Sequence, residues 1–320
     1  MNTSRISIVI ALAFVGSLAL TAWVRRLAII DVPNERSSHS QPTPRGGGLA
    51  VVVMTFLGLL GGQFLWSLTT WQGLLFYLGA ASLIAVVSWW DDVRSLSTAM
   101  RFLVHFLAAG LLITGWGYWD VLHLPGIGQL ELGLWGLGLT LFWIVGLTNA
   151  YNFMDGIDGI AGGQALVAGV GWAMVGWKLD NPFMFALGGL VAASSLGFLV
   201  FNWAPAKIFM GDVGSAFLGF TFAVAPLMAA HGDNINRGNL FLIGFLLLWP
   251  FIVDTGFTLL RRLSKGENIF RPHRSHFYQR MVIAGYSHQV VSLLYIGLAI
   301  IGSLVSLLFL KESKVVIGFK

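Results

Sequence analysis

Residues 72–90 read QGLLFYLGAASLIAVVSWW, and the next two residues are Asp91 and Asp92. A helix needs about 20 mostly apolar residues to span the hydrocarbon core of a bilayer, and this stretch supplies them. Two adjacent carboxylates at the end of such a helix are costly beside lipid unless a cation or water satisfies them. The stretch therefore predicts a transmembrane helix that delivers an acidic pair to one membrane face.

Similar apolar stretches recur along the whole chain. Apolar residues make up 56% of the 320 residues and charged residues only 10%, whereas soluble domains carry about 25% charged residues. We therefore predict an all-α, polytopic transmembrane helical bundle that forms one domain over residues 1–320. About ten spans are predicted, at 6–24, 47–66, 72–90, 98–116, 132–150, 158–177, 184–202, 213–231, 238–260 and 289–310.

The composition also excludes several kinds of chemistry. The chain has no cysteine, so disulfides, thiolate metal sites and cysteine nucleophiles are ruled out. Its formal net charge is +5, and basic residues in a membrane protein more often mark loop orientation than a nucleic-acid partner. We therefore expect no nucleic-acid partner.

The distribution of basic residues predicts the orientation of the spans. Only Arg5 precedes the first predicted span, whereas Arg25 and Arg26 follow it, which favours a retained anchor over a cleaved signal peptide. If the loop after this span is cytoplasmic, thirteen of the 19 Lys and Arg residues fall in inside loops and six fall outside. The positive-inside rule then predicts that both termini lie outside and that the five polar loops lie at the cytoplasmic face.

The first two inside loops carry glycines and acids. Arg45 is followed by Gly46–Gly48 at the predicted start of a helix, where glycines permit close approach of a ligand and offer free N–H groups. The alternative is a flexible basic connector. Asp91 and Asp92 form the second loop's motif, and an oxygen-only ligand set suits Mg²⁺. The alternative for this pair is a solvated helix end.

The third inside loop spaces three polar residues at helical intervals. Asn152, Asp155 and Asp158 are each three residues apart, so in a helix they could share one face. Each aspartate precedes a glycine, which also suits a break in the helix and close ligand approach. The spacing of a calcium-binding EF-hand is not met. The alternative is a helix cap with turn acids.

The fourth inside loop combines a lysine, an aromatic residue and an acid. Lys207 could meet a phosphate, Phe209 could stack on a flat base, and Asp212 could hold a metal ion. The alternative is an ordinary turn with a lysine that extends along the membrane interface.

The fifth inside loop is the longest and is rich in basic residues. Arg271, His273, Arg274 and His276 lie within six residues, and arginines in this density are typical of a pyrophosphate site. Zinc is disfavoured because cysteine is absent and the arginines repel a cation. The alternative is a positive-inside topology signal.

Together these loops favour phosphoryl transfer, in which positioning and charge neutralisation do most of the work. An ion-coupled transporter is one alternative, but such proteins place their sites near the midplane of the membrane and often contain repeats. An intramembrane aspartyl protease is another, but it requires two acids that face each other within the membrane. Here eight of the 14 acidic residues lie in the predicted inside loops, and a ninth, Asp254, lies near the inner end of a span.

The motifs resemble those of the polyprenyl-phosphate N-acetylhexosamine-1-phosphate transferases over nearly the whole chain, in the expected order. The first and last loops are similar to the WbpL-like branch, which starts O-antigen or capsule repeat units. The matching motifs are Asp91-Asp92, Asn152-x-x-Asp155-Gly-x-Asp158-Gly, Phe209-Met-Gly-Asp212-x-Gly-Ser215 and Pro272-His273-Arg274-x-His276.

This resemblance implies a role for each motif residue. Asp212 is implied as the main Mg²⁺ ligand with Asp92 beside it, and Mn²⁺ as a substitute metal. Asp91 is implied to contact or deprotonate the lipid phosphate, and Phe209 to stack on uracil. The implied catalytic residues are Asp91, Asp92, His273, Arg274 and His276. The predicted substrate-binding residues are Arg45, Asn152, Asp155, Asp158, Lys207, Phe209 and Arg271.

The implied reaction moves a sugar-1-phosphate from a UDP-N-acetylhexosamine to undecaprenyl phosphate and releases UMP. The branch implies UDP-N-acetylfucosamine or UDP-N-acetylquinovosamine, and the alternatives in the superfamily are transfer of phospho-MurNAc-pentapeptide or of GlcNAc-1-phosphate. A lipid phosphate is largely dianionic at pH 7, because its second pKa is about 6, so its chemistry favours direct attack over a covalent aspartyl intermediate. The expected location is the bacterial inner membrane, and a homodimer is left open.

Overall fold

The computed structural model describes residues 3–27, 29–33, 41–124, 127–230, 237–268 and 273–317. Over these ranges the chain is almost entirely helical, with two short antiparallel strand pairs, β1 with β2 and β3 with β4. The elements in order are α1 Thr3–Leu27, β1 Ile29–Asp31, β2 Thr43–Arg45, α2 Gly48–Trp66, α3 Trp71–Arg94, α4 Thr98–Trp116, β3 Val121–Leu124, β4 Gly128–Glu131, α5 Trp135–Phe153, α6 Ile160–Lys178, α7 Pro182–Asn202, α8 Asp212–Ala229, α9 Arg237–Ser264, α10 Phe277–Ile283 and α11 His288–Ile317.

The long helices coincide with the predicted spans. Within the described ranges, nine of them are long and apolar enough to cross a membrane. The long helix outside this set is α5, which corresponds to the predicted span 132–150 and whose last turns carry the polar residues Asn149 and Asn152. The prediction of a polytopic helical membrane protein is confirmed.

Side-chain caps fix where several of these helices begin. The first N–H groups of a helix have no partner inside it, and a polar side chain just before the helix can accept from one of them. Thr70, Ser97 and Asn181 do this for α3, α4 and α7, accepting from the N–H of Gly73, Met100 and Met184 respectively. These turns are therefore specified locally by the sequence.

The helix α8 lies at the centre of the bundle. Of its apolar stretch, 94% is buried, and it packs against α2, α3, α5 and α9. A helix that is apolar on all sides is typical of such a central position. Because α8 begins at Asp212, the bundle places this residue in the middle of one end of the molecule.

Candidate active site

A cavity of about 200 Å³ opens where the polar loops meet at this end of the bundle. Residues from all five polar loops line it, although these loops are far apart in the sequence. The predicted site residues among them are Arg45, Asp92, Asp155, Asp158, Phe209 and Asp212.

The carboxylate of Asp92 caps the N-terminus of α8. Its Oδ1 accepts the N–H of Asp212 at 3.0 Å and its Oδ2 accepts the N–H of Val213 at 3.1 Å. The N–H groups at a helix N-terminus attract negative charge, so this contact stabilises both the buried acid and the helix start. A Cβ on Gly211 would come within 2.7 Å of Asp92 Oδ2, so the turn into α8 leaves no room for a side chain. One acid of the pair thus anchors α3 to α8.

The glycines of the first loop pack against the fourth loop. The N–H of Gly47 donates to Phe209 O and that of Gly48 to Met210 O, both at 2.9 Å. The N–H of Phe209 in turn donates to Pro44 O at 2.8 Å. The prediction of free glycine N–H groups for a ligand is therefore wrong for Gly47 and Gly48. The close approach that these glycines permit is to another backbone.

The side chain of Arg45 reaches both acids that flank the cavity on its side. One of its terminal nitrogens donates to the backbone carbonyl of Asp92, and its Nε lies 3.6 Å from Asp92 Oδ1. Another terminal nitrogen lies 4.0 Å from Asp31 Oδ1. The guanidinium remains partly exposed, so it can offer further donors to an anion in the cavity.

The carboxylate of Asp212 is held from both sides. Asn152 Nδ2 donates to its Oδ1 at 3.0 Å and to Ser215 Oγ at 3.0 Å. On the other side Arg101 lies 3.7 Å from Asp212 Oδ2 and 3.0 Å from Asp91 Oδ2. Asp91 is buried and does not line the cavity, but through Arg101 it is electrostatically connected to Asp212.

The third loop is not helical where its acids lie. The helix α5 ends at Phe153 and α6 begins at Ile160, so Asp155 and Asp158 lie in the break between them. The shared helical face is therefore a wrong prediction, and the break that the glycines favour is what forms. Burial raises the pKa of Asp155 to about 8, assisted by the nearby carboxylates of Asp212, Asp92 and Asp158.

The other acid of this loop, Asp158, is tied to two neighbouring segments. Its Oδ2 accepts the N–H of Ala206 at 3.0 Å and lies 3.4 Å from Nδ1 of His288. Asn202 adds a second connection, since its side chain accepts the N–H of Gly159 and donates to Ile208 O. These contacts join the third and fourth loops into one wall of the cavity.

Several predicted site residues do not line the cavity. Lys207 is exposed to solvent. His273, Arg274 and His276 belong to the segment that leads into α10, and the Nε of Arg274 is buried without a hydrogen-bond partner in the described part of the chain. Arg271 lies outside the described residues. The fifth loop instead contributes Gln279 and His288 to the lining.

The donor set of the cavity fits Mg²⁺. Carboxylates predominate, and Mg²⁺ is usually held by one or two of them together with substrate phosphates. Among the described residues, no three His, Asp or Glu side chains are arranged to hold a metal ion on their own. Burial and the nearby carboxylates raise the pKa of Asp155, and a bound cation would offset both effects. Asp212 and Asp155 both line the cavity, and the charge of Asp212 helps to raise the pKa of Asp155, so these two carboxylates could hold such an ion.

Sequence reasoning did not single out Arg101, Asn202, Gln279 or His288. Arg101 offers the clearest signal, because a lone arginine near the start of an apolar span requires an anionic partner. Gln279 and His288 offered none, since both are polar residues in a loop region that is already polar. Their importance follows only from their place in the cavity wall.

Sequence comparisons agree with this geometry. Residues 74–230 match Glycosyl transferase family 4. The chain is 32% identical over 316 residues to a probable undecaprenyl-phosphate N-acetylglucosaminyl 1-phosphate transferase of Bacillus subtilis (strain 168), covering 97% of this chain and 86% of the relative. It is 30% identical over 285 residues to a phospho-N-acetylmuramoyl-pentapeptide-transferase of Lactiplantibacillus plantarum, covering 82% and 83%.

A third relative extends the similarity to another bacterial group. A decaprenyl-phosphate N-acetylglucosaminephosphotransferase of Mycobacterium tuberculosis (strain ATCC 25618 / H37Rv) is 33% identical over 320 residues, covering 89% of this chain and 77% of the relative. Since such identity extends over nearly the full length of this chain and most of each relative, the protein belongs to Glycosyl transferase family 4.

Proposed function

We propose that this protein transfers an N-acetylhexosamine-1-phosphate from a UDP-sugar to undecaprenyl phosphate at the cytoplasmic face of a bacterial inner membrane, with release of UMP. The observation that carries the proposal is a cavity to which all five polar loops contribute residues, with carboxylates and an arginine on its walls. The names of the relatives support the same reaction class, because each is a transferase of a phosphorylated sugar or of phospho-N-acetylmuramoyl-pentapeptide.

In the proposed reaction, an oxygen of the lipid phosphate attacks the sugar-bearing phosphorus of the UDP-sugar. The bond from that phosphorus to the bridging oxygen breaks, and its electrons leave with UMP. Arg45 would bind and orient the diphosphate, because a guanidinium pairs with phosphate through two parallel donors. Asn152 and Arg101 would keep the Asp212 carboxylate in position.

We propose Mg²⁺ as the cofactor, held by Asp212 and Asp155, with Mn²⁺ as a substitute. When bound, the ion neutralises the charge that develops on the diphosphate and on the departing UMP. The roles of Asp91 and Asp92 in catalysis stay predictions. For Asp92, both carboxylate oxygens already accept N–H groups of α8, which favours an anchoring role.

The identity of the transferred sugar is the most specific part of the proposal. The relatives from Bacillus and Mycobacterium are named for N-acetylglucosamine, whereas the first and last loops predict the O-antigen branch with UDP-N-acetylfucosamine or UDP-N-acetylquinovosamine. All three donors are therefore candidates, and O-antigen synthesis remains the proposed pathway. A homodimer also stays a prediction.

The reaction is tested by incubating detergent-purified protein with each UDP-sugar and Mg²⁺, with and without undecaprenyl phosphate. UMP release that requires the lipid phosphate, together with a lipid-linked sugar diphosphate as product, is the expected result. No UMP from any donor in the presence of the lipid would contradict the proposed function and would leave a transporter as the better reading.

The proposed orientation predicts which engineered cysteines react from outside the cell. The chain has no native cysteine, and Ser264 and Gln129 are both exposed at opposite ends of the bundle. We expect a membrane-impermeant maleimide to label Gln129→Cys in cells with a permeabilised outer membrane, and Ser264→Cys only after lysis. Labelling of Ser264→Cys before lysis would reverse the topology.

Phe209 is expected to contribute to binding of the nucleotide. It lines the cavity, and stacking of a base on an aromatic ring contributes about 1–3 kcal/mol. Phe209→Ala should therefore raise the KM for the UDP-sugar by roughly ten- to a hundred-fold, because each 1.4 kcal/mol is tenfold. Phe209→Tyr is the control and should stay near wild type. An unchanged KM in Phe209→Ala would make the ring a packing residue.

A further inference from the structure

The carboxylate of Asp254 forms a polar centre outside the cavity. Asp254 lies in α9, within the bundle, and is only 2% exposed. Its contacts come from three elements, and every partner can donate a hydrogen bond. They are Phe277 N at 2.9 Å, Tyr278 N at 3.3 Å, His276 Nδ1 at 3.2 Å, Tyr295 OH at 2.6 Å and Thr258 Oγ1 at 3.2 Å.

Three of these contacts concern one segment, the start of α10. The N–H groups of Phe277 and Tyr278 are the first two of that helix, which have no partner inside it. A carboxylate only accepts hydrogen bonds, so Nδ1 of His276 donates the hydrogen bond of their contact. Asp254 thus fixes both the first turn of α10 and the orientation of the His276 ring.

The helix α10 connects the contacts of Asp254 to the cavity. Tyr278 OH donates to Phe153 O at 2.9 Å, and a Cβ on Gly156 would lie 2.1 Å from that hydroxyl oxygen. The helix therefore rests directly on the third loop, beside Asp155. The next residue, Gln279, lines the cavity itself.

A buried carboxylate is unfavourable in a membrane helix unless it is well paired. We propose that Asp254 is a positioning residue for the nucleotide-sugar side of the active site, acting through His276 and α10. This inference rests on the proposed function, since it takes the third loop and Gln279 to face the UDP-sugar. In this role Asp254 does not contact the substrate.

The test is Asp254→Asn in purified protein, with Thr258→Val as a control that removes one neutral contact to the same carboxylate. We expect kcat/KM for the UDP-sugar to fall by about ten- to a hundred-fold in Asp254→Asn, because bonds to a charged group are lost. The KM for undecaprenyl phosphate should stay within about threefold in both variants. The proposal would be overturned if Asp254→Asn changed the KM for both substrates equally. It would also be overturned if kcat/KM for the UDP-sugar stayed at the wild-type value.

A second measurement needs no substrate. Amide hydrogen exchange in the peptide that covers α10 should be faster in Asp254→Asn than in wild type, because the first turn loses its acceptor. If wild-type protein lacks transferase activity, the proposed function fails while this result still tests the anchor. Unchanged exchange in α10 would overturn the anchoring role whatever the activity.

A matched pair at Phe277 covers the case in which Asp254→Asn does not fold. Phe277→Pro removes the N–H that donates to Asp254, and proline is tolerated at the first position of a helix. The preceding residue, His276, has the extended backbone that a following proline requires, with φ −62° and ψ 153°. Phe277→Ala loses the same ring but keeps the N–H. We expect kcat/KM of the proline variant to lie about tenfold below that of the alanine variant, and equal values would contradict the proposal.

Discussion

Asp212→Asn is expected to lower UMP release by about a hundred- to a thousand-fold, the range found when a preorganised electrostatic stabiliser is removed from an active site. The substitution keeps the shape of the side chain and removes its charge, which faces the cavity and Arg101. The protein should still fold, because Asp92 caps α8 through the backbone N–H of residue 212, and asparagine keeps that group.

The measurement for Asp212→Asn combines turnover with metal binding. Binding of Mn²⁺, followed by electron paramagnetic resonance, should weaken in parallel with the loss of UMP release. Asp120→Asn is a matched control, because Asp120 is an exposed acid at the other end of the bundle. Wild-type turnover by Asp212→Asn, or by the native protein in excess EDTA, would contradict the assignment of Asp212 as a metal ligand.

Gly48→Ala is expected to disrupt the site from a position that contacts no substrate. A Cβ at Gly48 would lie 2.4 Å from Gly214 Cα and 2.9 Å from Met210 O. Both are backbone atoms, so α2 and α8 would have to separate, and overpacking of this kind costs about 1–3 kcal/mol. The separation would strain the hydrogen bonds from Gly47 and Gly48 to the fourth loop, which carries Phe209.

We therefore expect Gly48→Ala to lower both the Tm in detergent and the UMP release, the latter by at least about tenfold. Gly61→Ala is the matched control on the same helix, because nothing lies within 4 Å of a Cβ at Gly61. It should keep its activity and be equally or slightly more stable, since alanine favours a helix more than glycine does. Wild-type Tm and activity in Gly48→Ala would show that α2 and α8 can adjust.

The fold was largely predictable because the length and apolar character of a span are local properties of the sequence. The prediction at 72–90 matches α3, Trp71–Arg94, and that at 98–116 matches α4, Thr98–Trp116. Helix starts with a nearby Ser, Thr or Asn cap are equally local. The sequence also identified most of the carboxylates that surround the cavity, because acids at the ends of apolar spans need a specific partner.

Which partner each polar group binds was decided only by the tertiary structure. Asp91 and Asp92 are neighbours in the sequence, yet one pairs with Arg101 and the other caps α8, 120 residues away from it. From the sequence, the glycines after Arg45 could have bound a ligand through their N–H groups. In the structure, the N–H groups of Gly47 and Gly48 instead donate to backbone carbonyls of the fourth loop. In the sequence, Asp254 has only apolar or neutral neighbours, and its partners at the start of α10 are evident only in the folded structure. A sequence specifies which groups need partners, whereas helix packing selects the partner, because candidates distant in the chain become neighbours only in the assembled bundle.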